Sequence, residues 1–417
     1  MKNTVRGRGM YRRATSAALA LGVVLVAATT QSAPAQTLKT LYAFTGGADG
    51  AYPSSLVQDA AGNLYGLTYG GGDPSCFGGL GCGTVFKVDS TGKETVLHTF
   101  TGTPDGSTPA VFSRLVFDGR GNLYGNTQFG GTSNGGSVFK LDTTGKETVL
   151  FSFSPGASGN LPSGGLILDG AGNLYGTAYF GGDFNCGKGV GCGTVFKLDR
   201  KGNQTVLYSF SNPPDGSNPN GKLLIDSAGD LYGTNVFGGH KCVNPSGCGS
   251  VFRIDTAGHE TVLHAFRGAA DGGLPEAGLL SDRAGHLYGT TDGFGAAGNG
   301  VVFRLDPDGK EHVLHSFTGG ADGGSPRAGL IWGPDGLYGT TTYGGNFACA
   351  FGCGTVFKLN QLGLTVLYEF TGGADGANPV STLFRDSEGN FYGTTNAGGD
   401  LSCNSGSGCG TVFKLTP

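Results

Sequence analysis

A Leu-Tyr-Gly motif recurs seven times along the chain, and this repetition constrains the fold more than any other feature of the sequence. Phe391 replaces the leucine in the last copy, and successive copies lie 50 to 59 residues apart. The tyrosines of the seven copies are Tyr65, Tyr124, Tyr175, Tyr232, Tyr288, Tyr338 and Tyr392. A period in this range is typical of β-propeller blades and exceeds that of a β-helix rung about twofold.

Each copy contains four short segments with the length and residue types of β-strands. In the third copy these segments cover residues 165–169, 173–177, 193–199 and 205–210. Asp-x-x-Gly connections join the first segment to the second and the third to the fourth. They are typical of hairpin turns, since glycine accepts the positive φ that such turns need. Four antiparallel strands repeated seven times predict an all-β fold, a seven-bladed β-propeller.

The two ends of the repeated region complement each other. Residues 37–44 match the fourth strand of a blade, although no blade precedes them. Residues 411–415 match a third strand that has no fourth strand after it. If the N-terminal strand completes the last blade, the ring closes and no sheet edge remains exposed. We therefore predict a closed ring in preference to an open solenoid.

The first 35 residues differ from the repeats. They carry five cations and no anion, with an apolar run at residues 17–28 and a small-x-small site that ends at Ala35. This order is typical of a secretory signal peptide, and the run is too short to span a membrane. We predict a signal peptide at residues 1–35 and one propeller domain at residues 36–417. The protein would be secreted, periplasmic or at the cell surface, by the general secretory or the twin-arginine route.

Cleavage would make the chain strongly acidic. It would remove five of the 27 Lys and Arg, leaving 22 against 31 Asp and Glu and a formal charge of −9. A net acidic chain with scattered cations lacks the basic patch that binds nucleic acid or anionic membranes. No later segment has the length and apolar content of a membrane span. We expect a monomer that binds neither nucleic acid nor membrane.

The residue pattern of the repeat resembles those of two known families. The segment from Leu224 to Tyr232 is similar to NHL-type propeller blades. The fuller pattern of Leu-Tyr-Gly-Thr, Gly-Gly and Cys-Gly-Thr-Val-Phe-Lys-Leu-Asp resembles the tandem repeat of the GloVer family over the whole chain after residue 35. This resemblance implies an exported bacterial repeat protein, in a family whose members often carry C-terminal surface anchors. It provides no catalytic residues to transfer.

All ten cysteines fall in the loop between the second and third strands. The second and fifth copies lack both cysteines, and their loops are also shorter. Cysteines thus come and go in pairs with the loop that they would join, which in an exported protein favours disulfides. A zinc site would need pairs from two loops to converge, so we predict no metal there. The predicted disulfides are Cys76–Cys82, Cys186–Cys192, Cys242–Cys248, Cys349–Cys353 and Cys403–Cys409.

The loops after the second and fourth strands are long, and in NHL-type blades they lie on the same face of the disc. We call it the long-loop face, and it is our candidate surface for binding a protein or glycan, because loops on a rigid scaffold often carry function. It carries a recurring Asp-Gly-x-x-Pro, with Ser158 in the third copy. Turn capping explains this pattern; carboxylates that contact calcium or sugar hydroxyls are the alternative. The candidate residues are Asp49, Asp105, Asp215, Asp271, Asp322, Asp375 and His240.

Two other recurring sets are interpreted as structural. Histidines replace tyrosine at one position of the fourth strand in some copies, which indicates packing variants. The seven motif tyrosines are interpreted as core between blades in preference to a platform for sugars. The histidines are His98, His264 and His315, where other copies have Tyr42, Tyr208 and Tyr368.

An enzyme should break the repeat, because a catalytic set is needed once. The residues that break it are His240, Glu276, Arg114, Arg327, Trp332 and Arg385. They form no recognisable acid–base pair, nucleophile–base set or metal triad. We therefore favour a non-catalytic scaffold without a cofactor. The alternative is a polysaccharide hydrolase or lyase, with carboxylates from different blades meeting at the central channel.

Overall fold

The computed structural model describes residues 36–211, 214–240, 242, 244 and 246–416. These residues form seven antiparallel sheets, each of them a blade. The predicted all-β seven-bladed propeller is thereby confirmed. Within the described residues there is no α-helix, and the only helical pieces are 3-10 turns at Phe77–Gly79, Gly187–Gly189 and Asn404–Gly406. The predicted signal peptide, residues 1–35, lies outside the described residues and stays a prediction.

The strands follow the repeat, and in the first, third and fourth blades the innermost strand is divided in two. The N-terminal half of the chain contains β1 (Thr37–Ala43), β2 (Ala51–Pro53), β3 (Val57–Gln58), β4 (Leu64–Gly70), β5 (Thr84–Val88), β6 (Glu94–Thr99), β7 (Val116–Phe117), β8 (Leu123–Thr127), β9 (Ser137–Leu141), β10 (Glu147–Ser152), β11 (Asn160–Pro162), β12 (Ile167–Leu168), β13 (Leu174–Phe180), β14 (Thr194–Leu198) and β15 (Gln204–Ser209). The remainder contains β16 (Ser217–Pro219), β17 (Leu224–Ile225), β18 (Leu231–Phe237), β19 (Ser250–Ile254), β20 (Glu260–Ala265), β21 (Leu280–Ser281), β22 (Leu287–Thr291), β23 (Val301–Leu305), β24 (Glu311–Ser316), β25 (Ile331–Gly333), β26 (Gly336–Thr341), β27 (Thr355–Asn360), β28 (Gly363–Glu369), β29 (Phe384–Arg385), β30 (Phe391–Thr395) and β31 (Thr411–Thr416).

The tight turns form because an aspartate caps them. At Asp169 the carboxylate accepts a hydrogen bond from the backbone N of Asn173 at 2.8 Å, and Gly172 takes φ 82°. The hydroxyl of the motif tyrosine, Tyr175, donates to the same carboxylate at 3.1 Å. All seven motif tyrosines make this bond to a turn aspartate. The tyrosines therefore belong to the framework of the blades, in line with their interpretation as core.

The core between blades is a ring of phenylalanine pairs. Phe44, at the end of one blade, meets Phe86 of the next blade edge to face with ring centroids 5.0 Å apart, and both rings are fully buried. Equivalent pairs join the other six interfaces at 5.0 to 5.3 Å. The glycine of the motif makes room for this ring, since a Cβ at Gly66 would lie 2.5 Å from Cζ of Phe86. Edge-to-face aromatic pairs add to the stabilisation from burial.

The predicted ring closure is confirmed. Strand β1 pairs antiparallel with β31, from Thr37 opposite Thr416 to Ala43 opposite Thr411. The last blade therefore has the order β1-β31-β30-β29, with its outermost strand supplied by the start of the repeated region. This pairing uses the ladder edge that β31 would otherwise expose.

Candidate functional site

The five predicted disulfides are confirmed. Each joins two cysteines of one loop on the long-loop face, with Cα–Cα distances of 5.1 to 6.0 Å. Their sequence separations are only four or six residues, so each bond restrains its own loop and links no two blades. No group of three or more His, Cys, Asp or Glu is placed to hold a metal ion in the part of the chain that the structure describes.

The tips of the disulfide-bonded loops expose apolar side chains. Ten large apolar side chains are exposed among the described residues, and six of them lie on these loops. Phe351 is the most exposed of the six, at 74%, and Phe347 beside it is 63% exposed. The six are Leu80, Phe184, Val190, Phe347, Phe351 and Leu401. The six lie on the loops of four different blades, and two of these loops carry two of them each.

The aspartates of Asp-Gly-x-x-Pro are engaged within their own turns. The carboxylate of Asp49 accepts hydrogen bonds from the backbone N of Thr45 at 2.8 Å and from the hydroxyl of Tyr42 at 3.0 Å. Histidine takes the place of that tyrosine at Asp105, where Nε2 of His98 lies 3.2 Å from the carboxylate. These contacts are those of a capped turn. Ligand binding by these aspartates stays a prediction.

In four blades, the fourth strand begins with a glutamate that lies near the aspartate of one of these turns. Burial, reinforced by Asp215, raises the pKa of Glu260 to about 7, and one of its carboxyl oxygens has no hydrogen-bond partner. The turn at Ser158, between the second and third blades, differs at three positions together, with Phe151, Ser158 and Gln204 in place of the aromatic donor, the aspartate and the glutamate. Nε2 of Gln204 donates to the backbone oxygen of Ser158 at 2.7 Å. The three positions therefore act as one structural unit.

The innermost strands form a second candidate site around the central channel. Seven equivalent residues, each just before the leucine of the first strand, follow one another around it. Some adjacent members touch directly, since the backbone N of Thr382 donates to Oγ of Ser55 at 3.2 Å and that of Gly329 donates to Oγ1 of Thr382 at 3.0 Å. We call these seven residues the channel ring: Ser55, Arg114, Gly165, Lys222, Gly278, Gly329 and Thr382.

The channel ring carries two charges, and both are positive. Arg114 and Lys222 line a cavity of about 240 Å³ in the channel. The side chain of Lys222 is exposed to the channel, and the walls of the channel surround it. The loss of bulk water around the ammonium group, together with nearby Arg114, lowers the pKa of Lys222 to about 8. Burial also lowers the pKa of Arg114, and its Nε has no hydrogen-bond partner.

A group of charged side chains lies at the channel mouth on the long-loop face. Arg327 Nε and Nη2 donate to the two carboxylate oxygens of Asp292 at 3.0 and 3.2 Å. The same Nε lies 3.8 Å from the carboxylate of Glu276. Burial and the neighbouring Asp292 raise the pKa of Glu276 to about 7, while Arg327 opposes the shift. The guanidinium of Arg327 also lies over the ring of Tyr343, 5.9 Å from its centroid.

Three of the six residues that break the repeat therefore meet at the channel. Arg114, Glu276 and Arg327 line its cavity. The other three lie apart from it: His240 is exposed in a long loop of the fourth blade, Trp332 donates to the backbone oxygen of Ser281 in the adjacent blade, and Arg385 is exposed beside Phe391.

Sequence reasoning missed Lys222 and Asp292. Aligning the copies on the leucine that follows the channel ring would have found Lys222, where three other copies have glycine. Aligning the copies on the residue after Leu-Tyr-Gly-Thr-Thr would have found Asp292, where the sixth copy has Thr342.

No helix long and apolar enough to cross a bilayer occurs within the residues described. Fold and sites together define the class of protein: a seven-bladed β-propeller with a disulfide-bonded long-loop face and a charged channel. The chain belongs to the Gloeobacter/Verrucomicrobia repeat family, whose model matches residues 21–190 and 243–417. This confirms the family resemblance seen in the repeat. No curated protein matches the sequence.

Several solved structures share the fold. Virginiamycin B lyase from Staphylococcus aureus is 14% identical, with a TM-score of 0.56 over 92% of this chain and 99% of that chain. A catalytically inactive form of that lyase with quinupristin is 13% identical, with a TM-score of 0.51 over the same shares of the two chains. The extracellular domain of a proposed one-component system from B. thetaiotaomicron is 12% identical, with a TM-score of 0.57 over 91% of this chain and 40% of that one. At such identities the likeness concerns the fold alone.

Proposed function

We propose that this protein is an exported binding propeller that captures a protein or glycan partner on its long-loop face. The observation that carries the proposal is the set of exposed apolar side chains on the disulfide-bonded loops. Leaving such side chains in water forgoes about 25 cal/mol for each Å² of apolar surface that a partner could cover. Disulfides keep the loops ordered, so less conformational entropy is lost when a partner binds.

Export is supported by the cysteines. Ten cysteines in five disulfides fit an oxidising compartment and would be unusual in a reducing cytoplasm. The basic and then apolar composition of residues 1–35 points the same way. Mass spectrometry of the protein recovered outside the cytoplasm tests this, with an N-terminus near Gln36 as the expected result.

The binding proposal is tested with the variant Phe347→Ser/Phe351→Ser on a glycan array, with and without calcium. A panel of secreted proteins from the same culture forms a second arm. We expect partner binding to fall at least tenfold, because the variant removes the two most exposed aromatic side chains that the structure describes on the long-loop face. Leu362→Ser is the matched control, since Leu362 is 97% exposed but lies in a tight turn of the opposite face. Equal binding by both variants and the wild type would contradict the proposal.

A second candidate function is hydrolysis or lyase cleavage of a polysaccharide at the channel mouth. The observation that favours it is Glu276, whose pKa of about 7 suits a group that exchanges a proton near neutral pH. Its neighbours Asp292 and Arg327 also belong to no repeated set. Release of reducing ends or of unsaturated sugars from a panel of acidic and neutral polysaccharides tests this, with Glu276→Gln as the variant. Activity lost in that variant would support catalysis, and no activity in the wild type would remove this candidate.

A further inference from the structure

The central channel holds an uncompensated positive charge. Arg114 and Lys222 occupy two of the seven positions of the channel ring, separated by Gly165 of the third blade. That glycine lies directly against Arg114, because a Cβ built on it would come within 3.1 Å of the backbone N of Arg114. The two cations are close enough that Arg114 contributes to the lowered pKa of Lys222. Two like charges in one narrow space destabilise each other unless an anion lies near them.

Neither Glu276, which lines the cavity, nor Asp292 at the channel mouth supplies that anion. Asp292 and Glu276 are both directed to Arg327, which lies within 3.0 to 3.8 Å of their carboxylates. Arg114 and Lys222 form no ion pair within the part of the chain that the structure describes. Nε of Arg114 is buried and without a hydrogen-bond partner, which costs free energy in a folded protein. A bound anion would offset the repulsion between Arg114 and Lys222 and would accept a hydrogen bond from Nε of Arg114.

Neutral donors complete the site. The hydroxyls of Ser55 and Thr382 each accept a hydrogen bond from a backbone N–H, at 3.2 and 3.0 Å. Both residues line the cavity, and each hydroxyl keeps its own proton for a further bond, because a hydroxyl has one donor and two acceptor positions. The remaining ring positions are glycines, which leave the middle of the channel open. An oxyanion prefers such a set of two cations and two hydroxyls.

We propose that the channel ring is a binding site for an oxyanion, in which Arg114 and Lys222 hold a carboxylate or phosphate group. The group is either free in solution or part of a small acidic sugar that fits the cavity of about 240 Å³. This inference rests on the channel geometry and is independent of the loops that carry the proposed function.

The site is tested by thermal unfolding and calorimetry with inorganic phosphate and with galacturonate. Galactose and sodium chloride serve as the uncharged and the simple-salt controls. We expect the melting temperature of the wild type to rise saturably with an oxyanion, since a ligand that binds only the native state stabilises it. Binding of phosphate alone identifies a free anion, and binding of galacturonate but not galactose identifies an acidic sugar.

Two variants assign the effect to the channel ring. Lys222→Gly introduces the residue that three other blades have at this position, and Arg114→Ser introduces the residue of the first blade. Each should weaken oxyanion binding at least tenfold, and Lys222→Gly should melt higher than the wild type without anion, because it relieves the repulsion. Lys188→Gly is the matched control: it removes one cation from the long-loop face at a residue whose φ of 58° suits glycine.

The results separate this proposal from the loop-binding proposal. Oxyanion binding that is lost in the ring variants and kept in Lys188→Gly and Phe347→Ser/Phe351→Ser would establish the site. No saturable effect of either anion beyond that of chloride would overturn the inference. Binding that is unchanged in both ring variants would overturn it as well.

Discussion

The interfaces between blades and the central channel are built from the same repeat but differ in how uniform they are. At each interface two buried phenylalanines meet edge to face at 5.0 to 5.3 Å, and the set is the same in all seven places. At the channel, seven equivalent positions hold five kinds of residue, two of them charged. Contacts that occur in all seven blades stabilise the ring, and residues that occur in one blade only are the candidates for ligand binding or catalysis.

The largest effect is expected at the interface that closes the ring. Phe44→Ala removes a fully buried ring where the N-terminal strand meets the first blade. We expect the free energy of unfolding to fall by about 3–5 kcal/mol, since cavities left by phenylalanine are rarely refilled. Denaturant unfolding measures this loss, with Leu362→Ala as the exposed control that should leave stability unchanged. A loss below about 1 kcal/mol would show that closure does not depend on this contact.

A smaller loss is expected at the channel mouth. Arg327→Ala leaves the carboxylates of Glu276 and Asp292 without their cation. We expect a loss of about 2 kcal/mol, below that of a fully buried pair because these side chains keep some contact with solvent. The pKa of Glu276 should rise above its value of about 7, which NMR titration can follow.

The double variant Arg327→Ala/Glu276→Gln provides the control for this prediction. Removing the negative charge together with its partner should restore part of the stability, because the repulsion between Glu276 and Asp292 disappears. If both variants unfold at the same denaturant concentration as the wild type, the mouth group does not stabilise the fold.

The same contrast explains what the sequence could predict. Strands, tight turns, ring closure and disulfides depend on residues that are near in the chain or that recur from copy to copy, so their patterns are visible in the sequence. The bond from Tyr65 to Asp59 was missed, although an aspartate six residues before the tyrosine recurs in six copies and could have revealed it.

The channel could not be predicted in the same way. Arg114, Lys222 and Glu276 come from three blades, and the lengths of chain between them carry no information about distances around the ring. An alignment of the copies marks Lys222 as an exception to the repeat but does not show which other side chains it meets. Only the closed ring brings these side chains to one cavity, so the candidate site depended on the tertiary structure.

The smallest expected effect concerns pH. Burial raises the pKa of Glu94, Glu147, Glu260 and Glu311 to about 7, against 4.5 for the unfolded chain. Between these values the folded state binds more protons than the unfolded state. Stability is therefore greatest below about pH 4.5, as far as these groups are concerned, and falls as the pH rises to about 7.

In Glu260→Gln the free energy of unfolding should fall less steeply between about pH 4.5 and 7, and it should be unchanged below about pH 4.5. The third blade already has Gln204 at the equivalent position, so the amide fits the fold. We expect a gain of about 1 kcal/mol or less at pH 8, because solvent screens a half-exposed carboxylate. Unfolding curves at pH 4.5, 6 and 8 measure the slope, with Glu369→Gln, an exposed glutamate at the end of β28, as the control. An equal slope in all three proteins would mean that Glu260 contributes nothing to the pH dependence of stability, contrary to the raised pKa of its carboxyl group.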